Sequence, residues 1–173
     1  FRAVAELQAR RRLGLTATLV REDNKEEDVF SLIGPKRVDV PWKVLEKDGF
    51  IATAQCLEIR IPLPNEERMN YAVSDQRQRF RIASENSLKM KVIAEILALH
   101  PQNSVLIIGQ YIEQLKIISE YFQAPVLMGQ TPAKERERLF DLFRKGELKI
   151  LIVSKVANFA IDLPDASVAI QVS

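Results

Sequence analysis

The chain has 173 residues, 47% of them hydrophobic, which is enough for one domain or for one domain plus part of another. Its 25 Lys and Arg residues against 23 Asp and Glu residues give a net charge of only +2, so composition excludes a strongly basic protein and any basic binding surface has to be local. The single cysteine excludes an internal disulfide and is typical of a reducing cytosol. No apolar run reaches the roughly 20 residues that a membrane span needs.

The first polar residues of interest follow an apolar run near the start of the chain. The run Leu13–Val20 predicts a buried strand, and Thr16 and Thr18 lie within it. Hydroxyls near a strand end can contact a ligand in the adjacent crevice of an α/β sheet. A charged triplet then follows directly, consisting of Arg21, Glu22 and Asp23. By itself this triplet is also compatible with an exposed loop that holds a local ion pair of little energetic value.

The next segment contains a short helix and a connector. A helix is predicted near Glu26–Leu32 and is ended by Gly34-Pro35. Residues 41–55 have the composition of a connector. After it, apolar residues alternate with polar ones and predict a half-buried strand at a sheet edge, with Pro62 in it: Leu57, Ile59, Ile61 and Leu63.

Helical and strand patterns alternate through the rest of the chain. Glu66–Arg81 is polar and predicted to be helical, and Asn86-Ser87 predicts the start of the next helix. Thr131-Pro132 predicts an N-cap followed by a first-turn proline. The predicted strands lie at Val105–Ile108, Pro125–Leu127, Ile150–Val153 and Val168–Val172. This alternation predicts a doubly wound α/β domain with a parallel sheet and helices on both faces. Without further motifs, a flavodoxin-like domain of unknown task is the default interpretation.

Polar residues follow the Ile150–Val153 strand. Ser154, Lys155 and Asn158 offer donors and charge for a phosphate backbone, the commonest target in protein–nucleic acid contacts. Asp162 offers a carboxylate that could bind a ribose hydroxyl, or it is a turn residue before Leu163-Pro164.

Two further strand ends carry candidate residues. Gly109 and Gln110 follow the Val105–Ile108 strand. Gly129, Gln130 and Thr131 precede a helix, where amides and a hydroxyl at the positive helix end suit a phosphate, although a plain N-cap without a ligand fits equally well.

These motifs together resemble the XPB family of superfamily-2 DNA helicases. Gly-Leu-Thr-Ala-Thr at 14–18 followed by Arg-Glu-Asp resembles its motif III and family marker, residues 107–110 resemble motif IV, and residues 154–166 resemble motif V. The Ile-Gly-Pro-Lys block at 33–36, Trp42 and the Gly-Gln-Thr turn at 129–131 occur in the expected order. The sequence of residues 154–164 is similar to that of the bacterial branch of the family. Ala157-Asn158 stands where the eukaryotic branch tends to have Gly-Asp, which weakens any contact assigned to these two positions.

The resemblance implies a domain organisation. Residues 1–40 would be the C-terminal end of a RecA-like domain 1, and 41–55 the connector. Residues 56–173 would be a RecA-like domain 2, the helicase C-terminal domain, with a thumb-like insertion at about 66–84. The chain opens at Phe1 rather than Met, and the family's arginine-rich motif VI is expected after Ser173. We therefore expect this chain to be a piece of a longer protein.

The resemblance also implies roles for residues. Thr16 and Thr18 would couple nucleotide state to the DNA-binding side, the Arg-Glu-Asp triplet would belong to a strand-separating element, and Asp162 would bind nucleotide. The DNA-binding residues at the strand ends would be Gly109, Gln110, Gln130, Thr131, Ser154, Lys155 and Asn158. Within the insertion, three arginines around one aromatic ring suit phosphate neutralisation and base contact, although a solvated helix surface fits too: Arg77, Arg79, Phe80 and Arg81.

The function that the resemblance implies belongs to the parent protein. It is an ATP-dependent 3′-to-5′ DNA helicase of repair or transcription, with ATP and Mg²⁺ as cofactors and single-stranded or forked DNA as substrate. The candidate partners are a repair nuclease or other repair proteins, and no membrane is involved. The expected location is the cytoplasm of a bacterium, in association with the nucleoid. The phosphate loop Gly-x-x-x-x-Gly-Lys-Thr and the Mg²⁺ motif do not occur in this sequence, so the chain alone is not expected to hydrolyse ATP. The alternatives are a double-strand translocase that does not unwind, a non-enzymatic nucleic-acid-binding module, or an unrelated doubly wound domain.

Overall fold

The computed structural model of the chain describes residue 6 and residues 8–16, 26–154 and 166–173. The chain divides into two compact units, Phe1–Glu58 and Ile59–Ser173. None of the helices in the described ranges is long and apolar enough to cross a membrane.

Two short helices lie in residues 26–58 of the first unit. Helix α1 spans Glu26–Ile33, as predicted, and ends at Gly34, whose φ of 111° is a conformation that residues with a side chain rarely adopt. Helix α2 spans Trp42–Lys47, inside the predicted connector. The Arg12 guanidinium donates to the Leu32 carbonyl at 3.1 Å, which ties the start of the chain to the end of α1.

The predicted strand Leu13–Val20 is not a buried strand in its described half, residues 13–16. These residues have no regular secondary structure, and Leu13 and Leu15 are 84% and 87% exposed. An apolar run becomes a strand only where a neighbouring strand accepts and donates its ladder hydrogen bonds. The described residues contain no such neighbour in this unit.

The predicted strand at 56–63 is also wrong. Residues 51–64 have no regular secondary structure, and Leu57 is 79% exposed, so the alternation does not face a core. Pro62 and Pro64 have no N–H to donate to a ladder, and the Pro62 carbonyl instead accepts a hydrogen bond from the Asn86 amide at 3.0 Å.

A helical hairpin opens the second unit. Helix α3 spans Asn65–Val73 and helix α4 spans Gln76–Ser84, so the helix predicted over Glu66–Arg81 is two helices. The break arises because the Asp75 carboxylate accepts from the Gln78 N–H at 2.8 Å, which makes Asp75 an N-cap and starts a new helix there.

Alternating helices and strands complete the second unit. In chain order they are α5 (Lys89–Leu99), β1 (Val105–Gly109), α6 (Ile112–Phe122), β2 (Val126–Leu127), α7 (Ala133–Arg144), β3 (Ile150–Ser154) and β4 (Val168–Gln171). The four strands lie in the order β2-β3-β1-β4, and every pair is parallel. The predicted parallel sheet is therefore confirmed.

The sheet is covered on both faces. On one face Ile107 and Ile152 pack in a cluster with Leu115 of α6 and Ile93 of α5. On the other face Leu106, Leu151 and Val153 pack in a cluster with Leu139 and Phe143 of α7. Consecutive strand residues enter opposite clusters, because side chains alternate across a strand. The doubly wound arrangement predicted from the sequence is confirmed.

Two predicted helix starts are displaced. The N-cap of α7 is Pro132, not Thr131, because the Thr131 hydroxyl accepts from the Met128 N–H at 2.9 Å and so closes the preceding turn. The N-cap of α5 is Leu88, and the Asn86 amide oxygen accepts from the Leu88 N–H at 3.0 Å. In both cases the polar side chain forms a local turn, which competes with capping.

Candidate nucleic-acid interface

The carboxyl ends of the parallel strands meet at one edge of the sheet, the edge where ligands bind in open α/β folds. Gly109 at the end of β1 is in register with Ser154 at the end of β3. Strand β2 ends at Leu127, directly before the turn that contains Gln130 and Thr131. The fold thus brings five predicted site residues to one edge: Gly109, Gln110, Gln130, Thr131 and Ser154.

Gly109 is closely packed. A Cβ at this position would lie 2.6 Å from the Leu115 side chain and 2.9 Å from that of Val172. Its neighbour Gln110 has an exposed side chain, and its backbone N–H donates to the Ser173 hydroxyl at 2.6 Å. Gly109 therefore has a packing role, while Gln110 presents its side chain to solvent at the strand end.

The turn before α7 is held by hydrogen bonds on both sides of Thr131. The Thr131 N–H donates to the Met128 carbonyl at 3.1 Å, and its hydroxyl accepts from the Met128 N–H. The Arg136 guanidinium also donates to the Met128 carbonyl at 3.4 Å. Among the described residues no side chain caps the first amides of α7, and Gln130 is exposed beside them. A phosphate at these amides therefore stays a prediction.

Ser154 is buried at the end of β3. Its side chain is 5% exposed, and its hydroxyl has no hydrogen-bond partner among the residues that the structure describes. Buried hydroxyls are nearly always paired, so this one is a feature that requires a functional or structural explanation.

Helix α4 of the predicted insertion contacts the end of β1 through Tyr111. The Phe80 ring lies 6.1 Å from the Tyr111 ring, tilted by 48°, and the Arg81 guanidinium carbon lies 6.0 Å from the centre of the same ring. Arg81 also forms an ion pair with Glu85 at 3.2 Å. These contacts bring Phe80 and Arg81 beside Gln110.

Tyr111 lies in the candidate interface and is a residue that the sequence analysis missed. The helical spacing of Tyr111, Leu115, Ile118 and Phe122 assigns it to the apolar stripe of a helix. In the structure Tyr111 is the N-cap of α6, with an extended backbone, and is only half-buried. The feature of the sequence that could have indicated its role is its position directly after Gly109-Gln110 at the end of a strand.

The two remaining predicted arginines of α4 differ. Arg79 donates to the Tyr71 and Ala72 carbonyls at 3.0 and 2.7 Å, so its guanidinium joins α4 to the last turn of α3. Arg77 is exposed, and within the described ranges it forms no hydrogen bond or ion pair. Of these two, Arg77 has the guanidinium that is open to a phosphate.

Lys89 and Gln114 fix the C-terminal end of α4. The Lys89 ammonium donates to the Ser84 carbonyl at 3.0 Å and to the Val172 carbonyl at 2.6 Å, and the Gln114 amide donates to the same Ser84 carbonyl. Burial lowers the pKa of Lys89 below its ordinary value. Helix α4 is thereby attached both to the end of β4 and to α6.

Several predicted residues lie outside the described ranges, namely Thr18, Arg21, Glu22, Asp23, Lys155, Asn158 and Asp162. Thr16 is described and lies exposed in the first unit. Across residues 26–154 and the other described positions, no group of three or more His, Cys, Asp or Glu side chains could hold a metal ion.

Comparison with known proteins identifies the family of the chain. A family model described as "ERCC3/RAD25/XPB C-terminal helicase" matches residues 45–173. The chain is 57% identical over its whole length to "DNA 3'-5' helicase XPB" of Kineococcus radiotolerans and 55% identical to the protein of that name in Mycobacterium tuberculosis. It is 32% identical over 99% of its length to "General transcription and DNA repair factor IIH helicase/translocase subunit XPB/SSL2" of Saccharomyces cerevisiae.

The chain spans 31%, 32% and 21% of the lengths of these three relatives. Since the family model covers well over half of the chain, and the sheet has the architecture expected of a helicase C-terminal domain, the chain belongs to the ERCC3/RAD25/XPB C-terminal helicase family.

Proposed function

We propose that the whole protein is an ATP-dependent 3′-to-5′ DNA helicase and that this chain supplies much of its DNA-gripping surface. The observation that carries the proposal is similarity over all 173 residues to relatives named "DNA 3'-5' helicase XPB". The chain spans about a third of those relatives, so the activity is assigned to the longer protein.

The geometry of the sheet edge supports a grip on the phosphate backbone. Gln110, Gln130 and the open amides of α7 offer uncharged donors, which are common partners of phosphate oxygens. Arg77 adds an exposed positive charge on α4, and the Phe80 ring, which packs on Tyr111 beside Gln110, could stack on a base. The Arg81 guanidinium lies beside the same tyrosine ring and is paired with Glu85.

The proposed domain organisation has residues 1–40 as the end of a first RecA-like domain, residues 41–55 as a connector and residues 56–173 as the second domain, with an insertion at about 66–84. In this organisation Asp162 binds nucleotide, Thr16 and Thr18 couple nucleotide state to DNA, and Arg21, Glu22 and Asp23 contribute to strand separation. Lys155 and Asn158 join Ser154 on the DNA backbone.

ATP and Mg²⁺ act in the whole protein. Phosphoryl transfer needs a phosphate cradle, a Mg²⁺ carboxylate and an arginine for the transition-state charge. The phosphate-loop motif and the Mg²⁺ motif do not occur in this sequence. We therefore expect the 173-residue chain alone to bind DNA weakly and not to hydrolyse ATP.

A second candidate is a double-strand translocase that does not unwind, since the yeast relative is named "helicase/translocase". The proposal also includes a role in repair or transcription, a repair nuclease as partner, and a nucleoid-associated cytoplasmic location in a bacterium. We expect the isolated chain to behave as a non-enzymatic nucleic-acid-binding module.

Strand displacement on tailed duplexes tests the proposal. The full-length protein should displace a labelled strand when the duplex has a 3′ tail, and not when it has only a 5′ tail. The double variant Gln110→Ala with Arg81→Ala should be slower at subsaturating DNA. The charge-matched control Arg138→Ala, which removes an exposed ion pair with Glu135 on α7, should not be slower. Translocation on duplex DNA without strand displacement supports the second candidate instead.

A further inference from the structure

The helical hairpin of residues 65–84 is held together both between its helices and at its base. The Arg79 guanidinium on α4 donates to two carbonyls in the last turns of α3. At the base, the Asn86 amide nitrogen donates to the Pro62 carbonyl at 3.0 Å, which joins the residues before and after the hairpin. Asn86 is only 3% exposed, so this contact is buried. The hairpin is therefore one body, and its orientation is set by the contacts at its base.

Lys89, the first residue of α5, links that base to the sheet. Its ammonium donates to the carbonyl of Ser84, the last residue of α4, at 3.0 Å, and to the carbonyl of Val172, directly after β4, at 2.6 Å. In the described ranges both acceptors are main-chain carbonyls, and no carboxylate pairs with this ammonium. The last carbonyls of a helix lack intrahelical partners and carry partial negative charge, so a cation forms strong hydrogen bonds there. Lys89 thus joins two segments of backbone.

The Val172 carbonyl lies beside the sheet edge that carries Gln110. The Val172 N–H donates to the Ile108 carbonyl at 2.8 Å, and the hydroxyl of the next residue, Ser173, accepts from the Gln110 N–H at 2.6 Å. The Lys89 ammonium therefore connects the base of the hairpin, through one residue of β-sheet backbone, to the position of Gln110.

The position of the end of α4 determines where Phe80 lies. Phe80 is one helical turn before Ser84, is 50% exposed, and packs on the Tyr111 ring at 6.1 Å. The Gln114 amide of α6 donates to the same Ser84 carbonyl as Lys89. Both Gln114 and Tyr111 belong to the α6 side of the hairpin, so Lys89 is the contact described here that ties α4 to the end of β4.

We propose that Lys89 is a positioning residue for DNA binding, which holds the hairpin in the orientation where Phe80 and Gln110 contact the same DNA strand. This role rests on the proposed function, because Phe80, Arg77 and Gln110 are DNA contacts only within it. Lys89 acts without touching DNA, since its ammonium is directed to two carbonyls of the protein. If Lys89 served stability alone, its loss would leave the affinity of the folded protein for DNA unchanged.

A double-mutant cycle on the full-length protein tests the role of Lys89, with fluorescence anisotropy of a labelled single-stranded oligonucleotide as the measurement. Lys89→Met is made in wild type and in a background that lacks the hairpin contacts, Arg77→Ala with Phe80→Ala. We expect the dissociation constant to rise about fivefold in wild type and less than about twofold in that background, because residues that act through one another are not additive. An equal rise in both backgrounds overturns the proposal, since Lys89 would then act on something other than the hairpin.

Lys91→Met is the matched control, because it removes an exposed positive charge from the same helix. It should leave the dissociation constant within about twofold of wild type, the scatter expected for an independent site. Weakening by Lys91→Met equal to that by Lys89→Met would show a general effect of charge and overturn the proposal.

Failure of this inference differs from failure of the proposed function. If wild type binds the oligonucleotide and folded Lys89→Met binds it equally well, only the positioning role is wrong. If wild type binds no DNA, the proposed function and the positioning role are both wrong. Circular dichroism establishes that each variant is folded. Should Lys89→Met not fold, Lys89→Gln, which removes the charge and shortens the side chain, takes its place in the same cycle with the same expected results.

Discussion

The guanidinium carbon of Arg81 lies 6.0 Å from the ring centre of Tyr111, and Phe80 packs on the same ring from the neighbouring position of α4. Tyr111 is also the residue that follows Gln110 at the end of β1. One aromatic side chain therefore connects the helical hairpin of residues 65–84 to the edge of the sheet where ligands are expected.

Substituting this tyrosine should weaken DNA binding. Tyr111→Ala removes the ring on which Phe80 and Arg81 rest, so both side chains lose a fixed position next to Gln110. A cation–π contact at an exposed site is worth about 0.5–1 kcal/mol, so we expect the dissociation constant for single-stranded DNA to rise by roughly two- to fivefold. Fluorescence anisotropy with a labelled oligonucleotide measures it.

The control for this prediction is Tyr121→Ala. Tyr121 lies on α6 as well, is 66% exposed, and packs edge-on against Phe122 rather than against α4. Its loss should not change the affinity for DNA. Equal weakening by both substitutions would show that α6 as a whole, rather than the contact between Tyr111 and α4, affects binding.

Gly109→Ala should destabilise the second unit. The new Cβ would lie 2.6 Å from Leu115 and 2.9 Å from Val172, both in the closely packed core. Overpacking of this kind costs about 1–3 kcal/mol of unfolding free energy. Urea denaturation measures the loss, with Gln110→Ala as the neighbouring control that should stay within about 0.5 kcal/mol of wild type. An unchanged midpoint for Gly109→Ala contradicts the packing role.

Arg77 and Arg79 should separate binding from stability. Arg79→Ala removes two hydrogen bonds to carbonyls at the end of α3 and should cost about 1 kcal/mol of unfolding free energy. Arg77→Ala should leave stability unchanged and reduce the salt dependence of DNA binding by about one phosphate contact. Titrations at several salt concentrations, beside urea denaturation, measure both. A loss of stability in Arg77→Ala together with a smaller salt dependence in Arg79→Ala would contradict these roles.

Lys89 should make stability depend on pH in the alkaline range. Burial lowers its pKa below the ordinary 10.5, so between the folded and the unfolded pKa the unfolded chain holds the proton more often. Stability therefore rises with pH through that window, and the cost of burying the charge is present in full below it. Wild type should gain stability relative to Lys89→Met between neutral pH and about pH 10.5.

The comparison requires urea denaturation of both proteins at pH 7 and pH 10. Lys91→Met is the matched control, because Lys91 is exposed on the same helix and its charge is not buried. A stability difference between wild type and Lys89→Met that does not change with pH would show that the ammonium is solvated in the folded protein.

The sequence predicted the sheet and its covering helices because their signals are strong and local. Val105–Gly109 and Ile150–Ser154 are mostly apolar runs, which indicate strands that are buried on both faces. Helices α6 and α7 carry apolar residues at helical spacing, which indicates one face packed against the sheet. The end of α7 at Arg144, with Lys145 as its C-cap before Gly146 at φ of 70°, follows from the same local chemistry.

The wrong predictions share one physical cause, which is that the partner of the segment is not visible in its own residues. The alternation over 56–63 indicates a strand only if a second strand lies alongside. Thr131 can cap a helix or close a turn, and the choice depends on the position of Met128. Tyr111 has the spacing of a helical stripe, while its contact with Arg81 depends on how the hairpin packs.

DNA-stimulated ATPase of the full-length protein, measured beside its Asp162→Ala variant, is the sharpest test of a motor function. We expect hydrolysis that single-stranded DNA increases severalfold and that collapses in the variant while circular dichroism is unchanged. Absence of ATPase with every DNA tested would contradict a motor and leave a binding module. A variant as active as wild type would keep the motor but contradict a nucleotide-binding role for Asp162.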